Sequence, residues 1–230
     1  MTEKQRIERI LETLDTYYEK DVICYLNHEN TLQLLIATIL SAQCTDDRVN
    51  MVTESLFKKY RTAEDFATVE LSELEVDIKS TGFYKNKAKN IKACAIKLCE
   101  LYGGEVPKDL EALTELAGVG RKTANVVRGN IFNIPSVVVD THVKRISIRW
   151  GLTMATDPVA IEMELMKKLP KEHWIRYNTQ VIAHGRAICT ARAPKCLDCM
   201  FLTLCPYGLT KRLQDLPKQA QEALEKGHMY

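Results

Sequence analysis

The apolar residues of this 230-residue chain recur every three or four positions, which is the spacing of amphipathic helices. Clear examples run through 7–14, 91–98 and 161–169. Short stretches rich in Gly, Pro, Asn and Asp separate the helical runs, at 27–30, 80–86, 103–109, 118–120, 133–136 and 156–158. The one β-like run, 136–139, has too few β-branched residues to build a sheet. The pattern therefore predicts an all-α fold.

Composition adds the broad class of protein. Charged residues make up 27% of the chain and hydrophobic residues 46%, as in folded proteins rather than disordered ones. The longest mainly apolar run, 34–40, is far shorter than the roughly 20 residues that cross a bilayer. The first residues mix charges and lack the apolar core of a secretory signal. We therefore expect a cytoplasmic protein with no membrane partner, whose eight cysteines are thiols or metal ligands.

The net charge is only +2, but the basic residues are concentrated in two segments. The first holds Lys85, Lys87, Lys89, Lys92 and Lys97, and the second holds Lys144, Arg145, Arg149, Arg186, Arg192 and Lys195. Two interpretations stay open, namely ordinary solvated faces or surfaces that neutralise nucleic-acid phosphates.

A glycine-containing turn is predicted inside Leu-Ala-Gly-Val-Gly-Arg-Lys-Thr-Ala, residues 116–124. Gly118, Val119 and Gly120 would join a short helix after Pro107 to a second helix that begins near Arg121. Glycines permit positive φ there and let backbone N–H groups point outward, which makes an anion site at the second helix. The alternative is a plain turn between two helices.

Lys122 is the candidate nucleophile because it falls on the first turn of that second helix. A lysine amine attacks carbon only when neutral, and burial, neighbouring cations and a helix N-terminus all lower a lysine pKa. A phosphate-binding or solvent-facing lysine is the alternative.

Asp140 follows an apolar extended run, 137–139, and precedes a helical pattern. This position suits a helix N-cap, and a carboxylate there would also stabilise a cationic transition state or accept a proton. His142, two residues later, is expected either to line the same site or to be a packed histidine.

Four cysteines, Cys189, Cys196, Cys199 and Cys205, form a C-x6-C-x2-C-x5-C array. Four converging thiolates suit either zinc or an iron-sulfur cluster. Arg192 and Lys195 lie in the first gap, so metal binding would form a basic loop able to touch phosphate. The other four cysteines, Cys24, Cys44, Cys94 and Cys99, are predicted to be core thiols.

Five blocks of the chain together resemble the endonuclease III family of helix-hairpin-helix DNA glycosylases/AP lyases. They are Leu-Ser-Ala-Gln-Cys-Thr-Asp (40–46), Thr-Gly-Phe-Tyr-Lys-Asn-Lys-Ala (81–88), Gly-Val-Gly-Arg-Lys-Thr-Ala (118–124), Val-Asp-Thr-His-Val (139–143), and His-Gly-Arg (184–186) with the four cysteines. The resemblance implies two helical domains with a DNA-binding cleft between them. One is a six-helix barrel, 24–134, with the helix-hairpin-helix motif at about 108–129. The other, 1–23 plus 135–230, holds a [4Fe-4S] cluster.

The resemblance also implies a role for each residue. Lys122 becomes the nucleophile that attacks the sugar C1′ and forms a Schiff base, and Asp140 assists departure of the base. The four cysteines would bind the cluster. Gln43 and Phe83 would enter the base stack when a nucleotide is flipped out, as inferred from family position alone. The remaining DNA contacts would come from Gly118, Val119, Gly120, Arg121, His142, Arg192 and Lys195.

The implied activity is excision of oxidised pyrimidines from duplex DNA, followed by a nick 3′ to the abasic site through β-elimination. The expected partner is double-stranded DNA with damaged bases or abasic sites, bound by a monomer associated with the nucleoid. Two alternatives remain, a monofunctional mismatch glycosylase of the same superfamily and a non-catalytic DNA-binding module with structural zinc. The polar tail from Lys211 is compatible with helix or with a frayed end.

Overall fold

The structure is a computed structural model that describes residues 1–21 and 24–214. In this part of the chain there are twelve α-helices, three short 3-10 turns and no β-strand, so the predicted all-α class is confirmed. The α-helices are α1 Glu3–Tyr17, α2 Thr31–Leu40, α3 Asp46–Lys59, α4 Ala63–Thr68, α5 Leu71–Asp77, α6 Tyr84–Tyr102, α7 Leu110–Thr114, α8 Arg121–Asn130, α9 Thr141–Arg149, α10 Pro158–Lys168, α11 Trp174–Ala187 and α12 Pro206–Gln214.

The apolar periodicity located the main helices well and their ends less well. The three runs chosen from the sequence lie in α1, α6 and α10. The break expected at 80–86 is shorter in the structure, because α6 already begins at Tyr84. Likewise Pro158 is the first residue of α10, since its fixed φ suits that position and Asp157 caps the helix. Helix α12 is described as far as Gln214, and the rest of the polar tail lies outside the described residues.

The chain divides into two compact units, Ile23–Pro135 and Met1–Val22 with Ser136–Tyr230. Within Ile23–Pro135, helix α2 is buried nearly all round, with Leu34 to Leu40 no more than 6% exposed. The neighbouring helices pack their apolar faces around it, and Cys94 is buried in the same core. Cys24, Cys44 and Cys99 are only partly buried against that core. A helix that is apolar on all sides belongs at the centre of such a unit.

The other unit has its own core, to which the N-terminal helix contributes. Ile10 and Leu14 of α1 are fully buried, together with Trp150 and Tyr177 from later in the chain. Arg6 strengthens the connection, because its guanidinium donates hydrogen bonds to the carbonyls of Trp150, Leu204 and Gly151. An arginine fork is well suited to join several carbonyls in this way. The long-range contacts of α1 therefore place the N-terminal segment with the C-terminal half of the sequence.

Among the helices within residues 1–21 and 24–214, none is long and apolar enough to traverse a membrane.

Candidate functional site

The predicted turn between α7 and α8 is present, and it requires glycine at one position. Gly118 has a φ of +77°, and a Cβ atom built on it would lie 2.9 Å from the Cβ of Asn90. Gly120 has an ordinary φ of −89°, so it does not use the positive φ that glycine permits. Between them Val119 is 5% exposed and its N–H donates to the carbonyl of Leu116 at 3.1 Å. The buried valine and the close approach at Gly118 fix the course of the turn.

Helix α8 begins without a side-chain cap. Gly120 is its N-cap residue and offers no side-chain acceptor to the first backbone N–H groups. These groups carry the positive end of the helix dipole and are the donors that bind anions at helix N-termini. The predicted phosphate contacts of Gly118, Val119, Gly120 and Arg121 depend on this feature, and they stay a prediction.

Lys122 is the second residue of α8 and its side chain is exposed. Its amine makes no hydrogen bond or ion pair to any residue in the described ranges. Lys122 is therefore not buried. Arg121 precedes it on the first turn of α8, as the sequence indicated. The amine is accessible to a ligand that approaches the helix N-terminus.

Asp140 is the N-cap of α9, as one of the two interpretations of its position predicted. Its Oδ1 accepts a hydrogen bond from the N–H of Val143 at 2.8 Å. The carboxylate is half-buried, and in the described part of the chain its Oδ2 accepts no hydrogen bond. A capping carboxylate has its orientation fixed by the helix. One oxygen thus anchors the side chain while the other stays available.

His142 is a packed residue. Its Nδ1 interacts with Nη2 of Arg145 at 3.0 Å, and it packs against Gly185 of α11 so closely that a Cβ there would lie 2.3 Å from Nδ1. This agrees with the packed-histidine alternative. A contact of His142 with DNA stays a prediction.

The four cysteines of the array line one narrow pocket. Trp150 and His184 form part of its wall, and Nε2 of His184 lies 3.8 Å from the Sγ of Cys199. Burial, together with the nearby Cys189, Cys205 and Cys196, raises the pKa of the Cys199 thiol to about 11. Over residues 1–21 and 24–214, no three His, Cys, Asp or Glu side chains come close enough to hold a metal ion. The four cysteines thus line a shared space.

Two arginines hold the segment that carries the first cysteine, a role that sequence reasoning missed. Arg149 donates to the Sγ of Cys189 at 3.2 Å and to the carbonyls of Thr190 and Ala191 at 2.8 and 2.9 Å. Arg145 donates to the carbonyl of Cys189 at 3.1 Å. From the sequence, both arginines belong to a solvated or phosphate-binding face. Their spacing of four residues on α9 was the available signal, because it places both on one side of the helix.

The exposed basic residues of the cysteine loop are Arg192 and Lys195. They border a shallow groove together with Lys211 and the carboxylate of Asp198. Lys211 was not predicted, because it lies beyond the array and joins the groove through the position of α12. The groove presents three cations and one anion, which makes it net positive.

Gln43 and Phe83 share an uncommon backbone conformation. Their φ angles are +53° and +47°, and among the described non-glycine residues only Asn133 also has positive φ. Gln43 lies in the turn between α2 and α3, and Phe83 immediately precedes α6. Both side chains are exposed, and Phe83 is 64% accessible, which is high for a large aromatic residue. The structure therefore presents the two predicted insertion residues on exposed turns of the same unit.

The lysine-rich segment of α6 is not a single solvated face. Lys85 and Lys89 are exposed, but Lys87 is 5% exposed and donates to two carbonyls. Lys92 likewise donates to the carbonyls of Ala67 and Val69, and Lys97 pairs with Glu115. Helical spacing was the missed signal, because Lys87 lies four positions before buried Ile91.

Comparison with known proteins identifies the family. Residues 36–171 match the HhH-GPD superfamily of base excision DNA repair proteins. The chain is 50% identical over 206 residues to endonuclease III of Synechocystis sp., covering 89% of this chain and 94% of that protein. It is 48% identical over 197 residues to endonuclease III of Bacillus subtilis, covering 85% and 90% of the two chains.

Solved structures agree with the sequence relatives. A trapped endonuclease III–DNA covalent intermediate is similar with a TM-score of 0.86 and 46% identity, covering 92% of this chain and 100% of that one. A thermostable thymine-DNA glycosylase is similar with a TM-score of 0.81 and 25% identity, covering 90% and 98%. This chain belongs to the endonuclease III family within the HhH-GPD superfamily. The resemblance inferred from the five sequence blocks is thereby confirmed.

Proposed function

We propose that this chain is a bifunctional DNA glycosylase/AP lyase of base excision repair, acting on double-stranded DNA that contains damaged bases or abasic sites. Family membership supports this activity, and so does a 46% identical relative that was trapped as a covalent intermediate with DNA. The observation that carries the proposal for this chain is Lys122, an exposed amine on the first turn of an uncapped helix, which pairs with no residue in 1–21 and 24–214. The same helix end that attracts a phosphate would bring the sugar of that nucleotide to the amine.

The proposed chemistry begins at the sugar. The lone pair of the Lys122 amine attacks C1′, the bond between C1′ and the base breaks, and the base leaves with the bonding electrons. Loss of a proton from nitrogen and opening of the sugar give a Schiff base between Lys122 and C1′. Removal of a C2′ proton then expels the 3′ phosphate by β-elimination, which nicks the strand 3′ to the abasic site. Hydrolysis of the Schiff base returns the free lysine.

Asp140 is proposed as the carboxylate that assists departure of the base. Its Oδ1 is anchored and its Oδ2 accepts no hydrogen bond from the described residues, which suits a fixed negative charge that stabilises a cationic sugar or accepts a proton. A preoriented carboxylate needs no reorganisation when the charge develops. The N-cap role and the catalytic role therefore coexist in one side chain.

Access to the damaged nucleotide requires that it leave the base stack, at a cost of a few kcal/mol. Gln43 and Phe83 are proposed to enter the duplex and offset the lost stacking, because both are exposed on turns. Phosphate contacts are proposed for the backbone of Gly118, Val119 and Gly120. Further contacts are proposed for the side chains of Arg121, His142, Arg192 and Lys195.

We assign oxidised pyrimidines as the substrate class by family resemblance. A second candidate is a monofunctional mismatch glycosylase, which the similarity to a thymine-DNA glycosylase favours. Lys122 argues against that candidate, because a monofunctional enzyme needs no amine nucleophile. A monomer associated with the nucleoid is the proposed state of the chain in the cell.

The cofactor proposed for the cysteine pocket is a [4Fe-4S] cluster held by Cys189, Cys196, Cys199 and Cys205. Four cysteine side chains that line one pocket are suitable ligands for such a cluster, and the resemblance to the family favours it over zinc. When bound, the cluster would cross-link residues 189–205 and present Arg192 and Lys195 on a fixed loop. Purified protein that is brown and holds about four irons per chain supports the cluster. Colourless, zinc-loaded protein would support the non-catalytic module instead.

Borohydride trapping tests the central proposal. Wild-type protein is incubated with duplex DNA carrying an oxidised pyrimidine, a deaminated base, a mismatch or an abasic site, and the Schiff base is reduced to a stable adduct. We expect Lys122→Ala to form no adduct while binding the same duplexes. The matched control is Lys85→Ala, since Lys85 is also the exposed second residue of a helix without a side-chain cap. Adducts that persist in Lys122→Ala would remove this lysine from the nucleophile role.

A further inference from the structure

Lys87 is a buried lysine that joins two distant segments of the chain. Its side chain is 5% exposed, and its Nζ donates a hydrogen bond to the carbonyl of Leu40 and another to that of Thr81, both at 2.8 Å. An ammonium has three donors, so these two carbonyls take most of its hydrogen-bonding capacity. The side chain of Lys87 therefore links two backbone segments through hydrogen bonds.

The carbonyls of Leu40 and Thr81 both lie just before an exposed turn. Leu40 is the last residue of α2, three positions before Gln43. Thr81 ends a 3-10 turn, two positions before Phe83. The backbone N–H of Lys87 also donates to the carbonyl of Phe83 at 3.1 Å. Lys87 thus contacts Leu40, which leads into the turn that carries Gln43. It also contacts Thr81 and Phe83, the residues on either side of Gly82 in the other turn.

The two turns need such support because of their backbone. Gln43 and Phe83 are in the left-handed region, which is unfavourable for side chains larger than glycine and rare for a bulky aromatic. Residues persist in this region when their surroundings over-determine the conformation. The side chains of Gln43 and Phe83 are exposed and therefore restrain the backbone little. The restraint on the two turns comes from the backbone hydrogen bonds at the base of each turn.

A lysine is also a costly choice at this position. It lies on the face of α6 that continues through Ile91 and Cys94, where an apolar residue would pack without desolvating a charge. Burial lowers the pKa of Lys87, which reflects this cost. A lysine at this position gains hydrogen bonds to two carbonyl acceptors. An apolar residue would make neither bond.

We propose that Lys87 is a positioning residue that holds Gln43 and Phe83 at a fixed separation, so that both side chains enter the duplex together when a damaged nucleotide leaves the stack. This inference rests on the proposed function and adds a residue that does not itself touch DNA. It predicts that Lys87 matters for substrates that must be flipped and matters little for substrates that are already unstacked.

The test compares two substrates for Lys87→Met, which keeps the volume of the side chain and removes its donors. On duplex DNA with a paired oxidised pyrimidine, we expect single-turnover base excision to fall roughly 10- to 100-fold, as for misplacement by about 1 Å. On a single-stranded oligonucleotide with an abasic site, strand cleavage should stay near the wild-type rate. The conservative variant Lys87→Arg, which keeps charge and donors, should recover much of the duplex activity.

Lys92 provides a matched control on the same helix. Its Nζ also donates to two carbonyls, those of Ala67 at 2.9 Å and Val69 at 2.5 Å, but these support the end of α4 rather than an exposed turn. Lys92→Met should therefore lower the activity on duplex and single-stranded substrates by the same factor, or leave both activities unchanged. An equal loss on both substrates in Lys87→Met would show a merely structural role and overturn the inference, as would unchanged duplex activity.

Failure of the proposed function looks different, because the wild-type protein would then process neither substrate. If Lys87→Met does not fold, a double-mutant cycle on exposed residues tests whether Gln43 and Phe83 act as a fixed pair. The single variants Gln43→Ala and Phe83→Ala are compared with the double variant in duplex excision. We expect their effects to be non-additive by at least about threefold, since a fixed pair acts as one unit. Independent effects would overturn the inference.

Discussion

Arg149 donates a hydrogen bond from Nη1 to the Sγ of Cys189 at 3.2 Å, across 40 residues of sequence. The same guanidinium holds the next two carbonyls of the loop and stacks over the ring of Tyr207 at 4.5 Å. Arg149 therefore shapes the first part of the cysteine loop from a helix outside it.

Removal of this arginine should loosen the cysteine pocket. We expect Arg149→Met to be purified with well under half of the wild-type iron content, because it loses three donors to one short segment. Iron and acid-labile sulfide per chain give the measurement. Arg192→Met, an exposed change in the same loop, should retain its iron. Full iron content in both variants would contradict a role for Arg149 in holding the pocket.

The two glycines of the turn should respond differently to alanine. Gly118→Ala places a Cβ 2.9 Å from Asn90 at positive φ, and we expect a loss of about 1–3 kcal/mol in the free energy of unfolding. Gly120→Ala meets no atom within 4 Å at an ordinary φ, so stability should be unchanged or rise by about 0.4–1 kcal/mol. Urea denaturation measures both. The Gly120 variant should nevertheless bind DNA more weakly, since its methyl group lies where a phosphate would approach. Equal destabilisation of the two variants would contradict a requirement for glycine at position 118 alone.

The two roles of Asp140 can be separated by substitution. Asp140→Asn keeps a good N-cap acceptor for Val143, so stability should change little, whereas Asp140→Ala should cost about 1 kcal/mol. Both variants remove the carboxylate, and we expect base excision to fall by about 10²–10⁴-fold in each. Single-turnover kinetics and thermal unfolding provide the two measurements. An asparagine variant with normal excision would leave Asp140 with the capping role alone.

The basic groove of the cysteine loop should neutralise DNA phosphates. Replacing Arg192 and Lys195 together with Ala should reduce the slope of log K against log salt by about 0.9 for each phosphate that is no longer neutralised. Binding is measured by fluorescence anisotropy over a salt series. The control removes two exposed charges from α1, in Lys4→Ala with Arg9→Ala, and should leave the slope unchanged. The same slope for both double variants would show that the loop does not touch DNA.

Much of the fold could be predicted because its signals are local. The three- and four-residue spacing placed α1, α6 and α10, and the turn glycines and the four-cysteine array were visible as short motifs. Helix ends were less predictable, because a cap depends on a few atoms. Tyr84 therefore begins α6 where a longer break was expected. The five sequence blocks were enough to indicate the family.

The sequence by itself determined the helical class, the family, and the set of residues available for chemistry. Only the tertiary structure decided what Lys87 and Arg149 do, because each has a partner far along the chain, Leu40 at 47 residues and Cys189 at 40 residues. Periodicity encodes which side of a helix is apolar, whereas a hydrogen bond across such a distance exists only after packing has closed the intervening chain. In the sequence, Lys87 and Arg149 look like residues of a solvated surface. In the folded protein they donate hydrogen bonds that link separate segments of the backbone.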